Sequence, residues 1–166
     1  MTPSSRKNKG KKFEEIIASM IHEKLISNNP EYWHIYNNLE NERLKPKRDT
    51  SSGTFTGSLG DIDLGIAKKF FPYTIECKHW KSLDLSVNSL LQGKLKILES
   101  IWEQALAASG KNNLIPLVVF KANRTEIFVY YDIHKVKFLP ENNYLRKDQW
   151  IIGLWSDFIN KTIGKD

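Results

Sequence analysis

The sequence predicts a mixed α/β domain in which one central sheet is flanked by helices. Two observations carry this. Apolar residues recur at helical spacing over residues 11–27 and again over 87–108. Around the second helix, "DIDLGIA" (61–67), "YTIECKHW" (73–80), "LIPLVVFKA" (114–122) and "EIFVYYD" (126–132) read as strands, the first two by strict alternation. The order helix, hairpin, helix, hairpin, tail fills 166 residues, which suits one domain with its own core.

Residues 1–10 are polar and basic and are expected to form a mobile segment, leaving 11–166 as the domain. In the first helix Phe13, Ile16, Ile17, Met20, Ile21 and Leu25 make the apolar stripe. A wheel of about 100° per residue puts Glu14 at the edge of that stripe and Glu15 opposite it, in water. Residues 28–49 contain a proline and many asparagines and read as a short helix or irregular segment; 50–60, rich in Gly, Ser and Thr, read as a loop. The second helix carries Leu90, Leu91, Leu95, Leu98, Ile101, Trp102, Ala105 and Leu106, with "SG" at 109–110 as its stop. In the tail, "WIIGLW" predicts a strand and "SDFINKTI" a helix.

The formal charge of +6 favours a polyanionic partner without proving one. A single cysteine excludes an internal disulfide and a cysteine-based zinc finger and suits a reducing compartment. No apolar run approaches the ~20 residues of a membrane helix. The basic start is followed by no apolar segment of the secretory type. The expected location is therefore cytoplasmic, in a bacterial or archaeal cell, or in the host cell if a phage encodes the chain.

The chemistry sits on the first two strands. Period two puts Glu76 and Lys78 on one side of their strand, with Ile75 and Cys77 on the other. Asp61 and Asp63 share a face of the preceding strand, and a hairpin would bring Asp61 across the ladder to Glu76. Carboxylates so placed repel unless a cation lies between them, and hard oxygen donors suit Mg²⁺. On periodicity alone the ordinary reading of Glu76 and Lys78 is a surface salt bridge. His22, His34, His79 and His134 lack metal-ligand spacing, Cys77 reads as a small buried residue, and the five tryptophans read as core, with Trp80 placed to touch a substrate.

"GDID" followed by "IECK" resembles the PD-(D/E)xK nuclease signature, with Gly60 in place of the usual proline, Asp61 as the Asp and Glu76-Cys77-Lys78 as the ExK. "KGKKFEE" is similar to the opening of archaeal and phage Holliday-junction resolvases and aligns their helical Glu with Glu14. "RDTSSG" resembles their arginine and Ser-Gly loop, at Arg48, Ser52 and Gly53, and "IWEQALAASGKNNLIPLVVFKANR" resembles phage members, with Gln104 as their helical glutamine.

The resemblance implies a restriction-endonuclease-like fold and a Mg²⁺-dependent, structure-selective DNA endonuclease, with Mn²⁺ as a possible substitute. Asp61 and Glu76 would hold the metal, and Glu14 would complete the site directly or through water. Lys78 would position the water, Ser52 would contact the scissile phosphate, and Gln104 would support the site. Lys9, Lys11, Lys12, Lys47 and Arg48 are the expected DNA contacts. Asp63 and Ser51 compete for two of these roles. Paired cuts in a four-way junction require a homodimer, for which Trp150, Ile151, Leu154, Trp155 and Phe158, or the exposed side of the 87–108 helix, would supply apolar surface. The rival readings are another nuclease of the same fold (restriction, repair or nicking) and a nucleic-acid-binding protein without chemistry.

Overall fold

The computed structural model describes residues 3–38, 45–50, 60–83, 96–110, 113–141 and 144–163. It is an α/β domain on a mixed sheet. Helix α1 (Pro3–Asn28) and α2 (Pro30–Asn38) come first, then the two-residue strands β1 (Lys47–Arg48) and β2 (Ile62–Asp63), a 3-10 turn (Gly65–Lys69) and β3 (Tyr73–Trp80). Helix α3 (Lys96–Gly110) leads to β4 (Ile115–Ala122), β5 (Phe128–Asp132), α4 (Ile133–Val136), β6 (Leu145–Lys147), β7 (Trp150–Leu154) and α5 (Trp155–Ile163). The main sheet runs β3-β4-β5-β7-β6. β3 and β4 are parallel, as a strand–helix–strand crossover requires, and the remaining pairs are antiparallel.

Cross-strand partners share a face, so the register assigns the layers. Glu76, Val118, Tyr130 and Ile152 form one row. Tyr130 packs on Trp102 of α3 and stacks on Trp150 at 5.0 Å, so this row faces α3. On the other face Phe71, Tyr73 and Tyr131 pack against Phe158 of α5, and Phe13 of α1 meets His79.

Several expectations need correction. Helix α1 starts at Pro3, so residues 3–10 are helical. Proline is well placed in a first turn, and lysine and arginine favour helix, but without an apolar stripe there is no periodicity to register. Ile16, assigned to the stripe, is 42% exposed. The short helix expected as one reading of 28–49 does form as α2, with Asn29 and Pro30 as cap and first residue: the Asn29 Oδ1 accepts from the Tyr32 N–H at 2.8 Å. Ser109 and Gly110 lie within α3 and not after it. β2 does not form a hairpin ladder with β3; it pairs with β1, Lys47 opposite Asp63 and Arg48 opposite Ile62. Ile151, Trp155 and Phe158, expected at a dimer interface, are fully buried in the subunit's own core, whereas Trp33, expected in the core, is 51% exposed. Ser51, Ser52, Gly53 and the first part of the 87–108 helix lie outside the described residues. No helix among the described residues is long and apolar enough to cross a membrane.

Gly60 sets where the chain meets β3. Its φ is +103°, and a Cβ there would lie 2.7 Å from the Ile75 carbonyl oxygen. Proline, locked near φ −65°, could not take this conformation, which accounts for glycine where the nuclease signature usually has proline. Gly60→Ala is expected to destabilise the fold by roughly 1–3 kcal/mol, read as a lower urea midpoint; an unchanged midpoint would show that the backbone here relaxes freely.

Candidate active site

Three elements deliver carboxylates to the flank of β3. Immediately after Gly60, the Asp61 N–H donates to the Ile75 carbonyl at 2.8 Å, and the Cys77 N–H donates to Asp61 Oδ2 at 2.8 Å. The Asp61 carboxylate is thereby pinned alongside Glu76. The approach expected from a hairpin is achieved by one backbone bond and one carboxylate bond to the outer edge of β3. Glu76 is 9% exposed, and its Oε1 accepts from Lys78 Nζ at 2.6 Å. Glu14 reaches in from α1, where its Oε2 accepts from Arg48 Nε at 2.6 Å. Glu15, one residue on, is exposed, as the wheel predicts.

The electrostatics join these groups. Burial holds the Glu14 carboxyl above the usual carboxylate range, Asp61 adds to the rise, and Arg48 and Lys78 oppose it. Burial likewise pushes Glu76 up, then Asp61 and, more weakly, Glu14, against Lys78. Burial alone would pull the Lys78 ammonium down, but the negative charges of Glu76 and Asp61 prevail and hold it above its ordinary value. The pair is thus no solvated surface salt bridge. Burial drives the Cys77 thiol well up, and its side chain points away from Glu76, which suits packing and not attack.

Asp63 is engaged elsewhere: its Oδ1 accepts from the Gly65 N–H at 3.0 Å, and its Oδ2 lies 3.8 Å from Lys47 Nζ. That separates it from Asp61, which alone of the two couples to Glu14 and Glu76. Lys9 is half-buried, Lys11 and Lys12 are exposed on α1, and Gln104 is exposed on α3. The link between Arg48 and Glu14 is a role the sequence does not disclose, since 34 residues separate them and no local pattern joins them. His22 bonds Tyr32, His34 bonds Asn38 and His79 bonds Asn123, in keeping with structural roles. Trp80 is half-buried, edge-on to Phe120.

Among the described residues, no three His, Cys, Asp or Glu side chains stand close enough to ligate one ion together. Two of the three expected ligands each bind a cation of the chain itself, Glu14 to Arg48 and Glu76 to Lys78. The donor set still fits a hard divalent cation: carboxylates that repel one another, pinned by backbone, with burial raising the value of a counter-charge.

In both glutamates Asp61 contributes to the raised pKa, so Asp61→Asn is expected to move both titrations to lower pH. Carboxyl carbon NMR of the cation-free protein would read this. A carboxyl whose folded pKa is raised stabilises the fold fully below its unfolded value, near 4.5, and loses that contribution as pH rises through the folded value. The stability of Asp61→Asn relative to wild type should accordingly improve between pH 4.5 and neutrality. Unmoved glutamate titrations would dissolve the cluster.

The model of the family described as "Phage putative PDDEXK endonuclease" matches residues 5–157, a span that takes in Glu14, Arg48, Asp61, Glu76 and Lys78. Comparison with curated proteins and with solved structures gave no significant match. With nearly its whole length matched, the chain belongs to this family of phage PD-(D/E)xK endonucleases, and is thereby a nuclease with a restriction-endonuclease-like fold.

Proposed function

We propose that this nuclease is a Mg²⁺-dependent, structure-selective DNA endonuclease that resolves four-way junctions as a homodimer. The observation that carries the proposal is the bond between Arg48 and Glu14. It joins two separate pieces by which the sequence resembles Holliday-junction resolvases, beside the Asp61 and Glu76 carboxylates common to the wider superfamily.

In this reading Asp61 and Glu76 hold the cation, and Glu14 completes the site directly or through water; Mn²⁺ can substitute. A cation held by these carboxylates would supply an acidified water and a counter-charge for the phosphodiester. Lys78, kept protonated by Glu76, orients the attacking water and offsets charge at the reacting phosphate. Ser52 contacts the scissile phosphate, and Gln104 supports the site from α3. Lys9, Lys11, Lys12 and Lys47 neutralise backbone phosphates, while Arg48 has donors beyond Nε with which to take a phosphate without leaving Glu14. The enzyme works in the cytoplasm of the cell that holds its DNA.

Asp61→Asn, Glu76→Gln and Lys78→Ala should each abolish cleavage and leave DNA binding near normal, because affinity comes mainly from the basic residues. Glu15→Gln, in water, serves as the control and should cut normally. The deciding assay compares a four-way junction with linear duplex of the same sequence, with Mg²⁺ and with chelator. Equal cleavage of both substrates would make the protein a nuclease of another kind, and cleavage by Glu76→Gln at the wild-type rate would refute the site.

Paired nicks need two sites, and one subunit supplies one. With Ile151, Trp155 and Phe158 buried, the apolar surface left of those considered is the half-buried Trp150 and Leu154 and the exposed side of α3, where Ile97 is 44% exposed. Mixing wild-type protein with excess Glu76→Gln subunits should yield junctions nicked once. A single-subunit mass at assay concentration, with symmetric paired cuts retained, would overturn the dimer.

A further inference from the structure

Beyond Lys78, the ends of β3 and β4 and the turn that follows gather a second set of basic and polar side chains. His79 is in register with Lys121, so the two stand side by side on one face, about 4.8 Å apart. This is the face turned to α1, opposite to Glu76 and Lys78. The His79 ring meets Phe13 at 5.6 Å, and its Nε2 lies 3.2 Å from Asn123 Oδ1. Phe13 precedes Glu14, and the half-buried Lys9 lies one turn back on the same side of α1. His79 therefore links the basic start of α1 to the β4–β5 turn.

The turn itself is fixed in an unfavourable form. Arg124 has φ +63°, a conformation that glycine or asparagine takes more readily. Thr125 holds it there: its Oγ1 accepts from the Ala122 N–H at 3.0 Å and donates to the Glu126 carbonyl at 2.9 Å. The Arg124 side chain is exposed, Lys121 is half-buried beside the turn, and Glu126 is the acid next to it. A strained position occupied by arginine, pinned by a threonine at the end of the sheet that carries Lys78, is a reason to look for a ligand. The place also fits. Lys121 follows Phe120, the register partner of Lys78, by one step of about 3.3 Å. The set thus lies at the same strand ends as Lys78, on the opposite face of the sheet.

We propose that Lys9, His79, Lys121, Asn123 and Arg124 form a phosphate-binding track that grips the backbone of the duplex arm leading away from the cut. The track rests on the reading of Asp61, Glu76 and Lys78 as the cutting site, because it takes its position from them. Its contacts go to phosphate and are indifferent to sequence.

The test is DNA binding as a function of salt, in the Glu76→Gln background so that nothing is cut, with the double variant Lys121→Glu/Arg124→Glu. Binding should weaken alike on unrelated sequences, and the slope of log affinity against log salt should fall by about two units, roughly 0.9 for each phosphate no longer neutralised. The thermal midpoint should stay at the parent value. Lys135→Glu, exposed beyond the other end of β5, should leave the slope unchanged. An unchanged slope and affinity in the double variant, with the parent binding normally, would overturn the track and leave the nuclease reading intact. A parent that binds no DNA at any salt would overturn both.

Discussion

Charge repulsion among Glu14, Asp61 and Glu76 is the constraint around which the site end of the molecule is arranged. Each glutamate is pushed toward its neutral form by burial and by Asp61, and each is held by one cation, Arg48 or Lys78. Those two bonds, both 2.6 Å, are charge-assisted and partly shielded from water. They offset the repulsion without removing it, since both carboxyls remain above their ordinary range. A dication arriving here would meet ligands whose ionised forms are destabilised in its absence, and the free energy so stored favours its binding.

Holding like charges together demands rigid supports, and the fold provides three of different kinds. Glu76 is on a strand that is parallel-paired to β4 over its whole length, with Ile75 and Cys77 buried. Asp61 is fixed from outside by β3 itself, through bonds to Ile75 and Cys77 that only the left-handed Gly60 allows it to reach. Glu14 is set by the long α1, whose Phe13, Ile17, Ile21 and Leu25 are buried against the domain. Asp61 and Glu76 both take their place from β3, while Glu14 is brought to them by a separate element.

Much of this is legible in the sequence, and the rest fails for identifiable reasons. Alternation in "YTIECKHW" puts Glu76 and Lys78 on one face of β3 and Ile75 and Cys77 on the other, because side chains repeat every two residues, while the continuous apolar run of "LIPLVVFKA" marks β4 as a strand covered on both faces. The helical wheel places Glu14 and Glu15 correctly because burial of Phe13 and Ile17 fixes the helix's rotation. The expected hairpin of β2 and β3 does not form, because nearness in sequence favours pairing only where the residues between can turn and pair. Here the 3-10 turn carries the chain off the ladder, and β2 pairs backward with β1. Strands of two residues, such as β1 and β2, have no periodicity to read. Likewise the Arg48–Glu14 bond spans elements whose meeting is decided by tertiary packing. The choice of Asp61 over Asp63 needs Gly65 and Lys47, which occupy Asp63.

The alternation of β3 also sends neighbouring side chains of the candidate site to different faces. Side chains at 76 and 78 turn to the face of Val118 and Phe120, while 77 and 79 turn to the face of α1. Cys77 is buried on the second face, where burial pushes its thiol pKa well up and leaves it inert. Chemistry on the first face needs carboxylates and so repels DNA; a phosphate grip on the second can hold the same backbone without adding charge to the metal ligands. On the proposed reading, a single strand would separate cutting from holding at a distance of one residue. A shift of β3 by one step would exchange the two faces and put His79 where Lys78 now stands. The parallel register with β4, more than any one side chain, is what keeps Glu76 and Lys78 together on one face.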